Sequence, residues 1–246
     1  FHRKAHAVGC REALMWTAIW FAMAMAFALL LAPTMIGAQW GTDHTKLFIT
    51  GYVVELSLSM DNVFVIALIF TYFRVPQEYQ HRVLFWGILG ALVMRGVMIL
   101  SGAELIERFH WILQVFGAFL LFTGIKMLFV GDEEVEPEKN ILIRLARRVY
   151  PVTTEFEGQR FFTLLNGRRA LTPLALCLIM VETTDLIFAV DSIPAIFGIT
   201  TEPFIVFTSN LFASLGLRSL SFVRVGLFQH FCYLKYGLAL VLVFIG

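Results

Sequence analysis

The sequence predicts an all-α protein, a polytopic transmembrane helix bundle, and three observations carry the prediction. Hydrophobic residues fill 59% of the 246 positions and charged ones only 15%, with a mean hydropathy of +0.78, which a soluble globular chain does not reach. Apolar runs long enough to cross about 30 Å of hydrocarbon recur along the whole chain. Prolines keep to the borders of those runs or to hydrophilic stretches, at Pro33, Pro76, Pro137, Pro151, Pro173 and Pro203, as suits a residue that cannot donate inside a helix. Pro194 is the exception.

Seven spans follow, at 13–32, 46–73, 83–101, 109–130, 172–198, 203–223 and 226–246. The first, Ala13 to Ala32, is longer than a signal-peptide core and lacks a clear cleavage pattern, so it reads as a membrane helix preceding the rest. The chain opens at Phe1 without an initiator Met and stops at Gly246 inside an apolar run, so it is expected to be a fragment of one transmembrane domain, residues 1–246. Residues 131–171 are the single hydrophilic segment. It begins with Asp132, Glu133, Glu134, Glu136 and Glu138 and turns basic from Arg144 to Arg148, the pattern of a solvated linker. Within it, Ile141 to Tyr150 has the pattern of a short amphipathic helix for the inner membrane surface.

Lys and Arg set the orientation, since cytoplasmic connections carry the excess. With the N-terminus inside, cytoplasmic segments hold thirteen cations (Arg3, Lys4, Arg11, Arg74, Arg82, Lys139, Arg144, Arg147, Arg148, Arg160, Arg168, Arg169, Arg224) and outer segments only Lys46 and Arg108. The expected location is a bacterial inner membrane, with the N-terminus and 131–171 cytoplasmic. A net charge of +1 and no basic stripe argue against a nucleic-acid partner. Cys10, Cys177 and Cys232 are too scattered for a disulfide framework or a zinc site.

Two segments match as acid, five residues, acid, small polar: Glu55 to Asp61 and Asn62, and Asp185 to Asp191 and Ser192, 130 residues apart. Arg95 corresponds to Arg218 at a shift of 123, and Trp111, Phe122 and Gly124 to Tyr233, Phe244 and Gly246 at 122. The near-constant shift makes 46–130 and 172–246 copies of one three-helix unit. Because three is odd, the copies enter the membrane from opposite sides, an inverted repeat whose site is expected near the midplane between them.

Glu55, Asp61, Glu182, Asp185 and Asp191 all lie in these apolar spans. Left exposed and ionised, five central acids would cost on the order of 12–18 kcal/mol on insertion scales. Arg95 and Arg218 can fix packing by pairing with two of them but cannot balance five, so a bound cation is expected. On a regular helix Glu55 shares a face with Asn62, and Asp185 with Ser192, while Asp61 and Asp191 stand about 120° away. A break at the second acid would gather them. Pro194 supplies a cause for one beside Asp191; the other, near Ser57 and Ser59, is expected only from symmetry.

The donors are carboxylate, amide and hydroxyl oxygens without Cys or His, a set that suits Mg²⁺, Ca²⁺ or Mn²⁺. Since ligands must be deprotonated, loading such a site releases protons, which points to proton-coupled antiport.

Three sequence segments carry a family resemblance: Glu55-Leu-Ser-Leu-Ser-Met-Asp61-Asn62-Val-Phe, Val-Glu182-Thr-Thr-Asp185-Leu-Ile-Phe-Ala-Val-Asp191-Ser192-Ile-Pro194-Ala-Ile-Phe, and Thr208-Ser-Asn210-Leu-Phe-Ala-Ser-Leu-Gly-Leu-Arg218. They resemble the signature segments of the TerC family, with a likeness to its Alx-type bacterial members over nearly the whole chain. The resemblance implies kinship with the LysE-type exporters and their inverted three-helix repeats, and export of Mn²⁺ across the bacterial inner membrane. Carried onto these positions, it implies a metal site of Glu55, Asp61, Asn62, Glu182, Asp185, Asp191 and Ser192. It also implies a further helix before the first span and usually another after the last.

Other readings are export of Ca²⁺ or Mg²⁺, or a membrane scaffold that hands Mn²⁺ to secreted metalloenzymes through 131–171. An enzyme is not expected. An intramembrane aspartyl protease needs a Gly-rich loop beside an acid, and neither Asp61 nor Asp191 has one.

Overall fold

The structure, a computed structural model, describes residues 10–37, 40–129, 140–165 and 167–220. The seventh expected span and its repeat correspondences lie outside these residues, as do the side chains of Asp61 and Arg218.

Helix α1 (Cys10–Ala26) continues through a π-helical stretch (Phe27–Leu31) into α2 (Ala32–Ile36). The long helices α3 (Thr42–Tyr72) and α4 (Gln77–Arg108) follow, then α5 (Ile112–Phe129) and the short α6 (Ile141–Val149). A hairpin of β1 (Phe162–Leu165) and β2 (Arg168–Leu171) leads into α7 (Pro173–Phe197) and α8 (Pro203–Leu220). The α1–α2 unit, α3, α4 and α7 are each long and apolar enough to cross a membrane. An all-α polytopic bundle therefore stands.

Three expectations need revision. The third span extends well past 83–101, because the polar turns Gln77–Arg82 and Gly102–Arg108 continue the helix beyond the apolar run that hydropathy detects. Residues 131–171 are more than a linker, since a hairpin closes there with Gly167 at φ +76°. The Asn166-Gly167 dipeptide between two short apolar stretches is a strong hairpin signal. Neither acid motif breaks its helix, for α3 and α7 run unbroken through Asp61 and Asp191. Pro194 lies only three residues before the end of α7, so one lost backbone bond leaves little helix beyond it to redirect.

Packing defines two ends of the bundle. At one, Ile66, Ile69 and Phe70 of α3, Val83 and Leu84 of α4, Ile143 of α6, Leu171 at the end of β2 and Leu174 at the start of α7 form one apolar cluster. At the other, His44 near the start of α3 pairs with Glu202, just beyond α7, at 3.2 Å. Helices α3 and α7 therefore run antiparallel. Among α3, α4, α7 and α8 the tightest partners are α3 with α8 and α4 with α7, joined by α3 with α7 and α4 with α8, and α1 packs on α8 from outside this set. Exchanging α3, α4 for α7, α8 leaves this scheme unchanged.

The alanines Ala24, Ala28 and Ala32, four residues apart, form a small-residue stripe that buries α1–α2 in a cluster with Phe48 and Tyr52 of α3 and Ile205 of α8. The π-helical stretch coincides with a carbonyl used outside the helix: Ala28 O accepts from Trp40 Nε1 at 3.2 Å.

Candidate metal-ion site

Heptad-like spacing on an unbroken α3 stacks Glu55, Ser59 and Asn62 on one face, and all three are buried. Glu55 is fully enclosed, at 0% exposure. Its Oε1 accepts from Ser59 Oγ at 2.7 Å and from the guanidinium of Arg95 on α4. Arg95 also donates to Asn210 Oδ1 on α8 at 2.9 Å. Across the bundle, Asn62 Nδ2 donates to Asp185 Oδ1 on α7, and Arg95 is within electrostatic reach of both Glu55 and Asp185. Four helices thus contribute to one polar cluster.

This cluster borders a cavity of about 70 Å³ whose polar lining is Ser59, Asn62, Arg95, Asp185, Asn210 and Ser214. A water needs about 10–15 Å³ of such space, so the cavity has room for an ion with several waters. Several polar atoms here are buried without a partner among the described residues: Glu55 Oε2, Asn62 Oδ1 and Asn210 Nδ2. Such orphans are rare in folded proteins and ask for an explanation. Two of the three are hard oxygen acceptors, the donor chemistry of Mn²⁺, Mg²⁺ or Ca²⁺.

The seven expected ligands divide. Glu55, Asn62 and Asp185 meet in the polar cluster. Ser192 is buried on α7, with its Oγ unpartnered among the described residues. Half-buried Glu182 presses its carboxylate onto Gly90 of α4, where a Cβ would fall on the carboxylate itself. Asp191, also half-buried, interacts electrostatically with Lys126 of α5. The reason is angular: without a helix break, Asp191 stays about 120° from Asp185. The side chain of Asp61 lies outside the described residues. Among the described residues no three His, Cys, Asp or Glu side chains come together as a metal-binding group.

The structure adds partners that the acid motifs do not name. Ser59 is one turn from Glu55, and Asn210 and Ser214 lie one turn apart on α8. Arg95 closes an ion pair with Glu55. For Ser59, the four-residue spacing is the available signal; for Asn210, it is an amide inside an apolar span.

Comparisons with known proteins agree with this architecture. The profile of the integral membrane protein TerC family matches residues 40–246. The chain is 52% identical over 248 residues to an uncharacterized membrane protein of Myxococcus xanthus, covering 100% of this chain and 76% of that protein. It is 48% identical over 248 residues to the Alx protein of Escherichia coli K12, described as a candidate membrane-bound redox modulator, covering 99% and 77%. A membrane protein of Rickettsia bellii is 40% identical over 245 residues, covering 100% and 80%. No solved structure matches the chain.

Proposed function

Because the chain belongs to the TerC family of integral membrane proteins, we propose that it exports Mn²⁺ from the cytoplasm of a bacterium across the inner membrane, through the cavity among α3, α4, α7 and α8. The observation that carries this reading is the buried cluster of Glu55, Asn62 and Asp185, which joins α3 to α7 and leaves oxygens unpartnered beside a space of ionic size.

Arg95 acts as a built-in substitute for the cargo. Its guanidinium neutralises Glu55 while no ion is present, avoiding an uncompensated buried charge. An arriving dication competes for Glu55 through Oε2 and recruits Asn62 Oδ1 and the Asp185 carboxylate. Arg95 then keeps Asn210 as its partner. Two carboxylates in place of a full cage of four suit a cargo that must leave again. Asp61, Glu182, Asp191 and Ser192 serve as further stations along the path, and proton release on loading couples export to the proton gradient.

The test is ⁵⁴Mn efflux from cells carrying the full-length protein, at matched membrane abundance. Glu55→Gln and Asp185→Asn are each expected to lower efflux at least about tenfold, the equivalent of about 1.4 kcal/mol. Parent-like efflux in both would defeat the assignment. Raised cytoplasmic Mn²⁺ on loss of the protein separates an exporter from a scaffold, and competition by Ca²⁺ or Mg²⁺ ranks the cargo.

A further inference from the structure

The segment that follows the acidic run is folded against the bundle in a way that a solvated linker would not be. Asn140 caps α6 by accepting from the amides of Leu142 and Ile143. Its Nδ2 meets Met180 Sδ of α7 at 3.2 Å. Met180 is seven residues into α7, about 10 Å beyond Pro173 along the axis. Ile143 is enclosed with Leu174 and Cys177 of α7. Helix α6 therefore lies alongside the first turns of a membrane-spanning helix rather than beyond its end. Counted from Pro173, where the apolar run of α7 begins, that corresponds to the boundary between headgroups and acyl chains, about 5–10 Å in.

The three sides of α6 differ accordingly. Ile143 faces the bundle. Ile141, Leu145 and Val149 are 76%, 54% and 63% exposed, and at successive spacings of four they share one face. Arg144, Arg147 and Arg148 occupy the third side. Tyr150 carries the apolar face onto the hairpin through an edge contact with Phe162 of β1.

Where the basic side of α6 meets the hairpin, Arg147, Arg148 and Arg168 line an open cavity of about 500 Å³ together with Tyr150, Pro151 and Leu165. Among the described residues, none of the three arginines is in an ion pair. Three guanidiniums without an ion-pair partner among the described residues, beside an apolar face at headgroup depth, suit a phosphodiester whose acyl chains continue into the bilayer.

We propose that Arg147, Arg148 and Arg168 form a binding site for the phosphate of an anionic phospholipid, such as phosphatidylglycerol, in the leaflet that adjoins the start of α7, with Ile141, Leu145 and Val149 set among its acyl chains. Guanidinium forks suit phosphate better than ammonium does, because each can donate two parallel hydrogen bonds.

The test uses the full-length protein purified in neutral detergent. Added phosphatidylglycerol is expected to raise its Tm, whereas phosphatidylcholine and inorganic phosphate are not. The variant R147Q/R148Q/R168Q should lose that shift. An equal shift in the variant would overturn the site, as would a matching effect of inorganic phosphate, which would mean a free-anion site. A second measurement is independent of the arginines. With every native cysteine replaced by alanine, Cys10, Cys177 and Cys232 included, a nitroxide on Leu145→Cys in phosphatidylglycerol-containing nanodiscs should be more accessible to oxygen than to an aqueous nickel chelate. Accessibility typical of a water-exposed residue would place α6 off the membrane and sink the proposal.

Discussion

At the scale of single residues, the site turns on Arg95 and Glu55. Arg95→Gln leaves Glu55 buried without its counter-charge, and breaking one side of a buried pair costs about 3–5 kcal/mol. A lowered Tm in detergent is the expected outcome. The double variant Glu55→Gln/Arg95→Gln should recover much of the loss while still failing to export. Equal destabilisation in the single and double variants would show that the pair does not hold this part of the bundle. Gly90 makes a second residue-scale prediction: its bare Cα accepts the carboxylate of Glu182 from α7. Gly90→Ala puts a methyl group where that carboxylate lies, so the flexible end of Glu182 swings aside and Tm is expected to change little; a large fall in Tm would show that the carboxylate is held in place and the helices are forced apart.

The candidate ligands were legible because carboxylates inside apolar spans are costly and therefore conspicuous. Their partners were less so. Ser59 and Asn210 resemble many other small polar residues until α3, α4 and α8 are brought together.

At the scale of elements, periodic apolar runs located α3, α7 and the described part of α8 within a few residues, and the amphipathic pattern located α6. Ends were harder to place, since a helix continues wherever its backbone bonds do, while hydropathy reports only the apolar stretch; α4 shows the difference. The hairpin β1–β2 had a readable turn signal but sits in a segment whose charge suggested a plain linker.

Regularity of α7 also yields a prediction. If Pro194 does not break the helix, Pro194→Ala restores one backbone hydrogen bond and leaves the position of Asp185 unaltered. Efflux equal to the parent is expected. A severe loss would mean that transport requires a break at this point.

At the scale of the whole molecule, the ends of the bundle differ in charge. Arg74, Arg82, Arg144, Arg147, Arg148, Arg160, Arg168 and Arg169 belong to the end where α3 meets α4 and α6 meets α7. His44 and Glu202 mark the other. The positive-inside rule predicts that the first faces the cytoplasm. An impermeant maleimide added to intact cells should therefore label Glu202→Cys and spare Arg168→Cys, each in a background without other cysteines. The reverse pattern would invert the molecule and, with it, the direction of export.

The sequence by itself determined that the chain crosses a membrane repeatedly, that acids lie inside it, and that one motif occurs twice. Each of these follows from local chemistry: transfer cost, helical period and residue order. Only the tertiary structure decided which acids meet. Glu55 and Asp185 join one polar cluster through Arg95 and Asn62 while Glu182 and Asp191 face α4 and α5, because their directions depend on helix rotation and on neighbours that are distant in sequence. The pairing of Glu55 with Arg95, and the seating of α6 beside α7, are likewise products of packing, which no local pattern encodes.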